Sequence, residues 1–227
     1  MRGTSWKRAR AERRILQVAA LAMCVAGTAA LAAPAVRQAV VPSALFADAG
    51  QISSRAAPQA VMHLIWRGAD IDGDGQADFA NPTGKGVREH DAYGFGAFGA
   101  SRDGGSRRHE GVDFIADAGQ TVVSPISGFV TKIGFAYADD ADLKFVEISN
   151  PALNYAARVF YIDPQVEVGQ PVRMGQPIGA HATLEKKYPG GMTDHVHLEI
   201  IDGVGTRIDA ARVITAAYEP VAPPSRG

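Results

Sequence analysis

The sequence predicts an all-β body, mainly antiparallel and of sheet or β-sandwich form, with long loops and an N-terminal export helix. Three observations carry that expectation. The 25 glycines and 13 prolines in 227 residues interrupt the chain too often for long helices. Short runs rich in β-branched and aromatic residues crowd the second half, separated by Pro/Gly turns. The one long apolar run, residues 15–33, follows a basic stretch, which is the layout of an export signal.

The export segment reads "MRGTSWKRARAERR" and then "ILQVAALAMCVAGTAALAA", with Ala30-Leu31-Ala32 as a small-residue cleavage pattern. Left uncut, the apolar run is long enough to span a bilayer. Residues 1–33 are therefore a signal peptide or a membrane anchor, and any membrane association runs through that uncleaved segment. The protein is expected to be exported, periplasmic or extracellular. Arg13-Arg14 sits in poor surroundings for a twin-arginine signal. Residues 1–33 hold six basic residues and one acidic one, so the rest of the chain carries 17 against 23, near −6. That balance argues against nucleic acid as the main partner. Cys24 is the single cysteine, and Met23 spoils "LAMC" as a lipid-attachment box. The chain beyond it suits an oxidising compartment, holds no structural disulfide, and leaves His and carboxylate as zinc ligands.

Residues 34–60 are rich in Ala, Pro and Ser and read as a linker. Residues 61–88 form an acidic, calcium-loop-like segment, opened by the apolar strand "VMHLIW" (61–66). In "DIDGDGQAD", Asp70, Asp72, Asp74 and Asp78 stand at positions one, three, five and nine, with Gly75 at six. That is the spacing of a calcium loop. Asn81 stands at the twelfth position where a bidentate Glu is wanted, so the expected alternatives are a weak calcium site or a solvated turn.

A core is expected over 89–218, with a tail at 219–227. Between Gly84 and Arg108, glycines alternate with Tyr93, Phe95 and Phe98, the pattern of an ordered loop leading into a pocket. "QTVVSPISGFVTKIGFA" reads as strand, turn and strand; "LKFVEIS" and "ARVFYI" are further strands. The near-repeat GQPV and GQPI marks two successive turns. "HVHLEII" is the closing strand, and "RIDAARVI" a short helix or last edge.

The chemistry gathers in two short stretches. "DHVHLEII" puts His195 and His197 on one face of a strand. "HEGVDF" offers His109 and Asp113, which lie too far apart on a straight strand to share an ion. The backbone must bend between them, and Gly111 permits it. A helical HExxH-like reading with Glu110 as base fails because Gly111 and Val112 make a poor helix. His109, Asp113 and one of His195/His197 together make three ligands and leave a fourth position for water, as a catalytic zinc requires. The other histidine of the pair is then placed as general base. His63 and His90 read as structural or solvated, while His181 in "GAHATL" is a candidate to border the pocket.

"RRHEGVDFIADAGQTVVSPISGFV", "VGQPVRMGQPIG" and "DHVHLEI" resemble the lysostaphin/LytM-type zinc endopeptidases, which cleave peptide bonds of bacterial peptidoglycan. The resemblance covers roughly residues 89–201. It implies that His109, Asp113 and His197 bind zinc, that His195 is catalytic, and that peptidoglycan peptides are the substrate. The family's further catalytic histidine is replaced here by Tyr161, in "RVFYIDPQVEVG". In this the chain is still more similar to a side branch that includes the leukocyte cell-derived chemotaxins, regarded as non-proteolytic. The resemblance thus implies a zinc peptidase with Tyr161 as oxyanion donor or, alternatively, a zinc-containing binding module.

Overall fold

The computed structural model describes residues 60–221; the expected export segment, the expected linker up to residue 59 and residues 222–227 lie outside the described residues. The strands are β1 (Met62–Gly68), β2 (Ser101–Arg102), β3 (Arg107–Arg108), β4 (Val112–Ile115), β5 (Thr121–Val123), β6 (Gly128–Tyr137) and β7 (Asp140–Asn150). They continue with β8 (Tyr155–Pro164), β9 (Pro171–Val172), β10 (Pro177–His181), β11 (His195–Asp202), β12 (Arg207–Ile208) and β13 (Ile214–Pro220). One short helix, α1 (Ala210–Val213), is capped by the Asp209 carboxylate, which accepts from the Ala211 N–H. Among the described residues no helix is long and apolar enough to cross a membrane.

Nine strands form one sheet in the order β12-β11-β8-β7-β6-β9, with β4 added to β11 and β10 bridging β8 and β5. All its pairings are antiparallel, as the runs between Pro/Gly turns predict. β11, the strand read from "HVHLEII", is an interior strand, flanked by both β8 and β4. The GQPV and GQPI turns lead into β9 and β10. β1 pairs with β13 from Met62↔Pro220 to Gly68↔Ile214, so the acidic segment enters from a two-stranded ribbon.

Alternation along the strands builds the core. Val146, Ile148, Val159, Val196, Leu198 and Ile200 are fully buried, and truncating one such Leu to Ala typically costs about 2–5 kcal/mol. Phe79, from the segment before the long loop, joins the same cluster and meets Tyr155 edge-on at 5.5 Å. Trp66 of β1 packs edge-on against Phe114 of β4 at 5.7 Å. The outer face of the central strands is thereby left free to carry polar groups.

Candidate metal centre and its cleft

The floor of the site follows from the period of two along β11. His195, His197 and Glu199 share one face, while Val196, Leu198 and Ile200 fill the core on the other. The β11–β4 register sets His197 directly opposite Asp113, which brings together side chains 84 residues apart in sequence. His109 precedes β4, and the chain bends at Gly111 as expected. The glycine is required for close approach: a Cβ there would lie 2.5 Å from the Leu198 carbonyl oxygen and 2.6 Å from the His197 ring.

Three ligand atoms converge. His109 Nε2 is 2.9 Å from His197 Nδ1 and 3.1 Å from Asp113 Oδ1, and His197 Nδ1 is 2.9 Å from Asp113 Oδ1. Their remaining polar atoms are committed elsewhere. His109 Nδ1 donates to the Ala97 carbonyl at 2.9 Å, which leaves Nε2 as the lone-pair atom. Asp113 Oδ2 accepts from Arg88 Nε (3.2 Å) and Nη2 (2.9 Å). Arg88 is itself buried, donates to the Gly94 carbonyl, and pairs with Asp91 at 2.5 Å. His197 Nε2 lies 3.7 Å from Glu199 Oε1, and Glu199 is flanked by Arg207 at 3.0 Å and Arg158 at 3.5 Å. Such outer partners orient ligating groups and tune their basicity.

The electrostatics fit a cation at this point. Burial opposes ionisation of Asp113, yet the adjoining His109, His197 and His195 rings hold its carboxyl well below the usual range. Burial also opposes protonation of His197, but Asp113 and Glu199 outweigh it and raise the ring to about 9. His195 behaves in the opposite way: burial pushes it down to about 4 against the pull of Asp113. Its Nδ1 donates to the Thr193 carbonyl at 2.7 Å, so the neutral Nε2 lone pair faces the site, 3.6 Å from Asp113 Oδ1. The two histidines of the pair thus sit in opposite electrostatic surroundings, His197 held toward the charged form by carboxylates and His195 toward the neutral form by burial.

Tyr161 reaches the site by a backbone irregularity. In the β7–β8 register Phe145 faces Phe160 and Lys144 faces Ile162, so Tyr161 is the extra residue of a bulge, at φ +67°. A non-glycine residue there costs on the order of 1–3 kcal/mol. Its carbonyl accepts from the Ala182 N–H at 2.8 Å and from His181 Nδ1 at 3.0 Å. His181, a candidate to border the pocket, is therefore behind the bulge and does not line the cleft. The Tyr161 ring meets His195 edge-on at 5.4 Å, and its hydroxyl bonds to that of Tyr137 at 2.9 Å. Tyr188 donates to the same Tyr137 oxygen at 3.0 Å. Burial pushes the Tyr161 phenol up to about 12 and Tyr137 still further above its usual value.

These groups line one cavity of about 310 Å³. The glycine-rich loop contributes Tyr93, Arg102, Asp103 and Arg107 to its lining, as a loop leading into a pocket is expected to do. Arg88, Glu199 and Tyr137 are site residues the sequence reading passed over. Only Glu199 had a signal, standing two residues after His197 on the same strand face. His63 and His90 are exposed, in keeping with their reading.

In the acidic loop, Asp70, Asp72 and Asp78 each bring a carboxylate oxygen within 4.8 Å of the others, while Asp74 stays outside that group. Asp74 Oδ1 instead accepts from the Gln76 N–H. Asn81, at the twelfth position, is buried and bonded to Thr83, Gly84 and Lys85 of its own turn.

The profile of peptidase family M23 matches residues 107–210, a span that holds His109, Asp113, Tyr161, His195 and His197. Leukocyte cell-derived chemotaxin-2 of Mus musculus is 30% identical over 124 residues, covering 54% of this chain and 78% of that protein. Myeloid protein 1 of Gallus gallus is 35% identical over 124 residues, which is 54% of this chain and 36% of that protein. Among solved structures, the catalytic domain of the antimicrobial peptidase lysostaphin from Staphylococcus simulans aligns with a TM-score of 0.41 and 22% identity, over 54% of this chain and 89% of that one. On the profile and on the share of the mouse relative that it spans, the chain belongs to peptidase family M23.

Proposed function

We propose that the protein is an exported zinc metalloendopeptidase that hydrolyses peptide bonds in bacterial cell-wall peptidoglycan. The observation that carries this reading is the unprotonated Nε2 of His195 set beside three converging ligand atoms in one cavity. Two imidazole nitrogens and one carboxylate oxygen match the donor preference of a catalytic zinc and the three-ligand count that leaves one position open. His109 Nε2, Asp113 Oδ1 and His197 Nδ1 would hold the ion. When bound, zinc supplies Lewis acidity and lowers the pKa of water at its open position.

The chain's own groups do the rest. His195 Nε2 takes the proton from the attacking water and returns it to the leaving amine, its tautomer held by the Thr193 carbonyl. Tyr161 donates its hydroxyl proton as a hydrogen bond to the scissile carbonyl oxygen as charge develops there, with Tyr137 bracing the phenol. Digestion of purified peptidoglycan by the zinc-loaded protein, with products identified by mass spectrometry, tests the reading. Tyr161→Phe is expected to slow turnover about a hundredfold with zinc retained, the usual loss for one oxyanion donor. His195→Ala is expected to cost at least as much.

A second reading is favoured by one observation: the Tyr161 phenol is held up at about 12, so that position offers no group that titrates near neutrality. On that reading the chain is a zinc-containing module that binds peptidoglycan or a protein without cutting it. Absence of hydrolysis by the wild type, with hydrolysis gained by Tyr161→His, would establish it.

A further inference from the structure

The hairpin of β2 and β3 poses a problem of charge. Arg102 and Arg107 are direct cross-strand partners, and both line the cleft. Like charges placed directly opposite each other destabilise a strand pair. The turn that brings them together, Asp103-Gly104-Gly105, holds all three residues at positive φ (52°, 66° and 101°), so the pairing is built by a tight local conformation.

Nothing near Arg102 neutralises it fully. Its side chain is only 13% exposed, and its nearest carboxylate oxygen is Asp113 Oδ2 at 3.5 Å. That oxygen already accepts twice from Arg88, and the other oxygen of Asp113 faces the ligand histidines. Beyond that long contact, Arg102 donates only to the carbonyls of Ser101 (3.2 Å) and Phe95 (2.8 Å) among the described residues. Arg107 is paired with Asp103 at 3.0 Å, but both side chains are more than half exposed, and such pairs contribute little. A guanidinium that is mostly buried, faces a second one and lines a cavity is a site for an anion.

We propose that Arg102 and Arg107 form a carboxylate-binding subsite of the cleft, which selects peptides carrying a free carboxylate near the segment presented to the metal centre. The proposal rests on the peptidase reading for what the peptide is, and names a feature of that substrate. The planar guanidinium fork matches a carboxylate with two parallel hydrogen bonds. Arg102 supplies the desolvated contact, and Arg107 the outer one. The carboxylate comes from a chain terminus or from an acidic side chain, and the two sources are separable by experiment.

Three probes distinguish them on the zinc-loaded full chain: N-acetyl-triglycine, its C-terminal amide, and N-acetyl-Gly-Glu-Gly amide. Dissociation constants are measured by calorimetry, with mass spectrometry to report any cleavage. One of the two carboxylate peptides is expected to bind at least about tenfold more tightly than the neutral amide, in line with a charged hydrogen-bonded contact. Arg102→Gln should bring the probes within about twofold of one another while zinc content and melting temperature hold. Arg107→Gln, at an exposed position, should reduce the preference about threefold, and it decides the matter if Arg102→Gln loses zinc. Equal affinities for the three probes, no measurable binding, or a preference intact in both variants would overturn the subsite, the last by assigning the carboxylate to the metal. Hydrolysis of peptidoglycan with no carboxylate preference sinks the subsite alone. A preference in a protein that digests nothing sinks the peptidase reading alone.

Discussion

His109, Asp113 and His197 hold their ligand atoms within 3.1 Å of one another on buried or nearly buried side chains. Asp70, Asp72 and Asp78 also bring one carboxylate oxygen each within 4.8 Å of the others, but on a loop that is largely open to water. Both groups are oxygen- or nitrogen-rich and both have a recognised ligand spacing, yet they are built differently. In the first, every atom not turned to the centre is tied to another element: Ala97, Arg88 and the neighbourhood of Glu199. In the second, the carboxylates are satisfied by their own loop, Asp70 accepting from the N–H groups of Gly73 and Gly75, and Asp78 from that of Ile71. A preorganised site is one whose ligands have been oriented by something other than the ion. The acidic loop has its own backbone to hold it, so an ion there competes with existing hydrogen bonds.

The largest expected effect lies at the buried centre. Asp113→Ala should reduce bound zinc from about one equivalent to none by atomic absorption, and lower the melting temperature, because metal binding adds to the stability of the folded state. Full zinc content in that variant would remove the distinction between the two clusters. Next comes Arg88→Lys, which keeps the charge but loses the fork on Asp113 Oδ2. Zinc affinity, measured by competition with a chelator, should fall roughly 10–100-fold, the usual cost of losing an outer partner. Glu199→Gln should sit at the low end of that range, about tenfold, since Glu199 is 3.7 Å from the ring it faces. The smallest effect belongs to the acidic loop: millimolar calcium should raise the melting temperature by about 2–4 °C, and Asp72→Ala should abolish the rise. A calcium shift larger than the zinc shift would invert the comparison.

Much of this was legible in the chain. The Pro/Gly spacing and the alternation of "HVHLEII" point to antiparallel strands with two imidazoles on one face, because side-chain direction along a strand is a local property. The bend at Gly111 was legible for the same reason, as four residues on a straight strand cannot share an ion. Its steric cause was not, since the His197 ring and Leu198 carbonyl that exclude a side chain there lie on another strand. The position of Tyr161 in the sequence was visible, but its φ of +67° and its bulge depend on β7 and β10 together. That the candidate His181 sits outside the cleft was not legible, because its partner is the carbonyl of that bulge.

By itself, then, the sequence determined the strand periodicities, the ligand types and the spacing that brings His195 and His197 to one face, all of which follow from neighbours within a few residues. Tertiary structure alone decided that His197 lies opposite Asp113, that Arg88 grips the far oxygen of that carboxylate, and that Arg102 faces Arg107 in the cleft lining. The physical reason is that a register between strands is set by the burial of a whole face, and a one-residue slip would turn every polar side chain of β11 into the core. The contact across that register joins residues 84 positions apart, the Arg88–Asp113 contact joins residues 25 apart, and no local propensity encodes either.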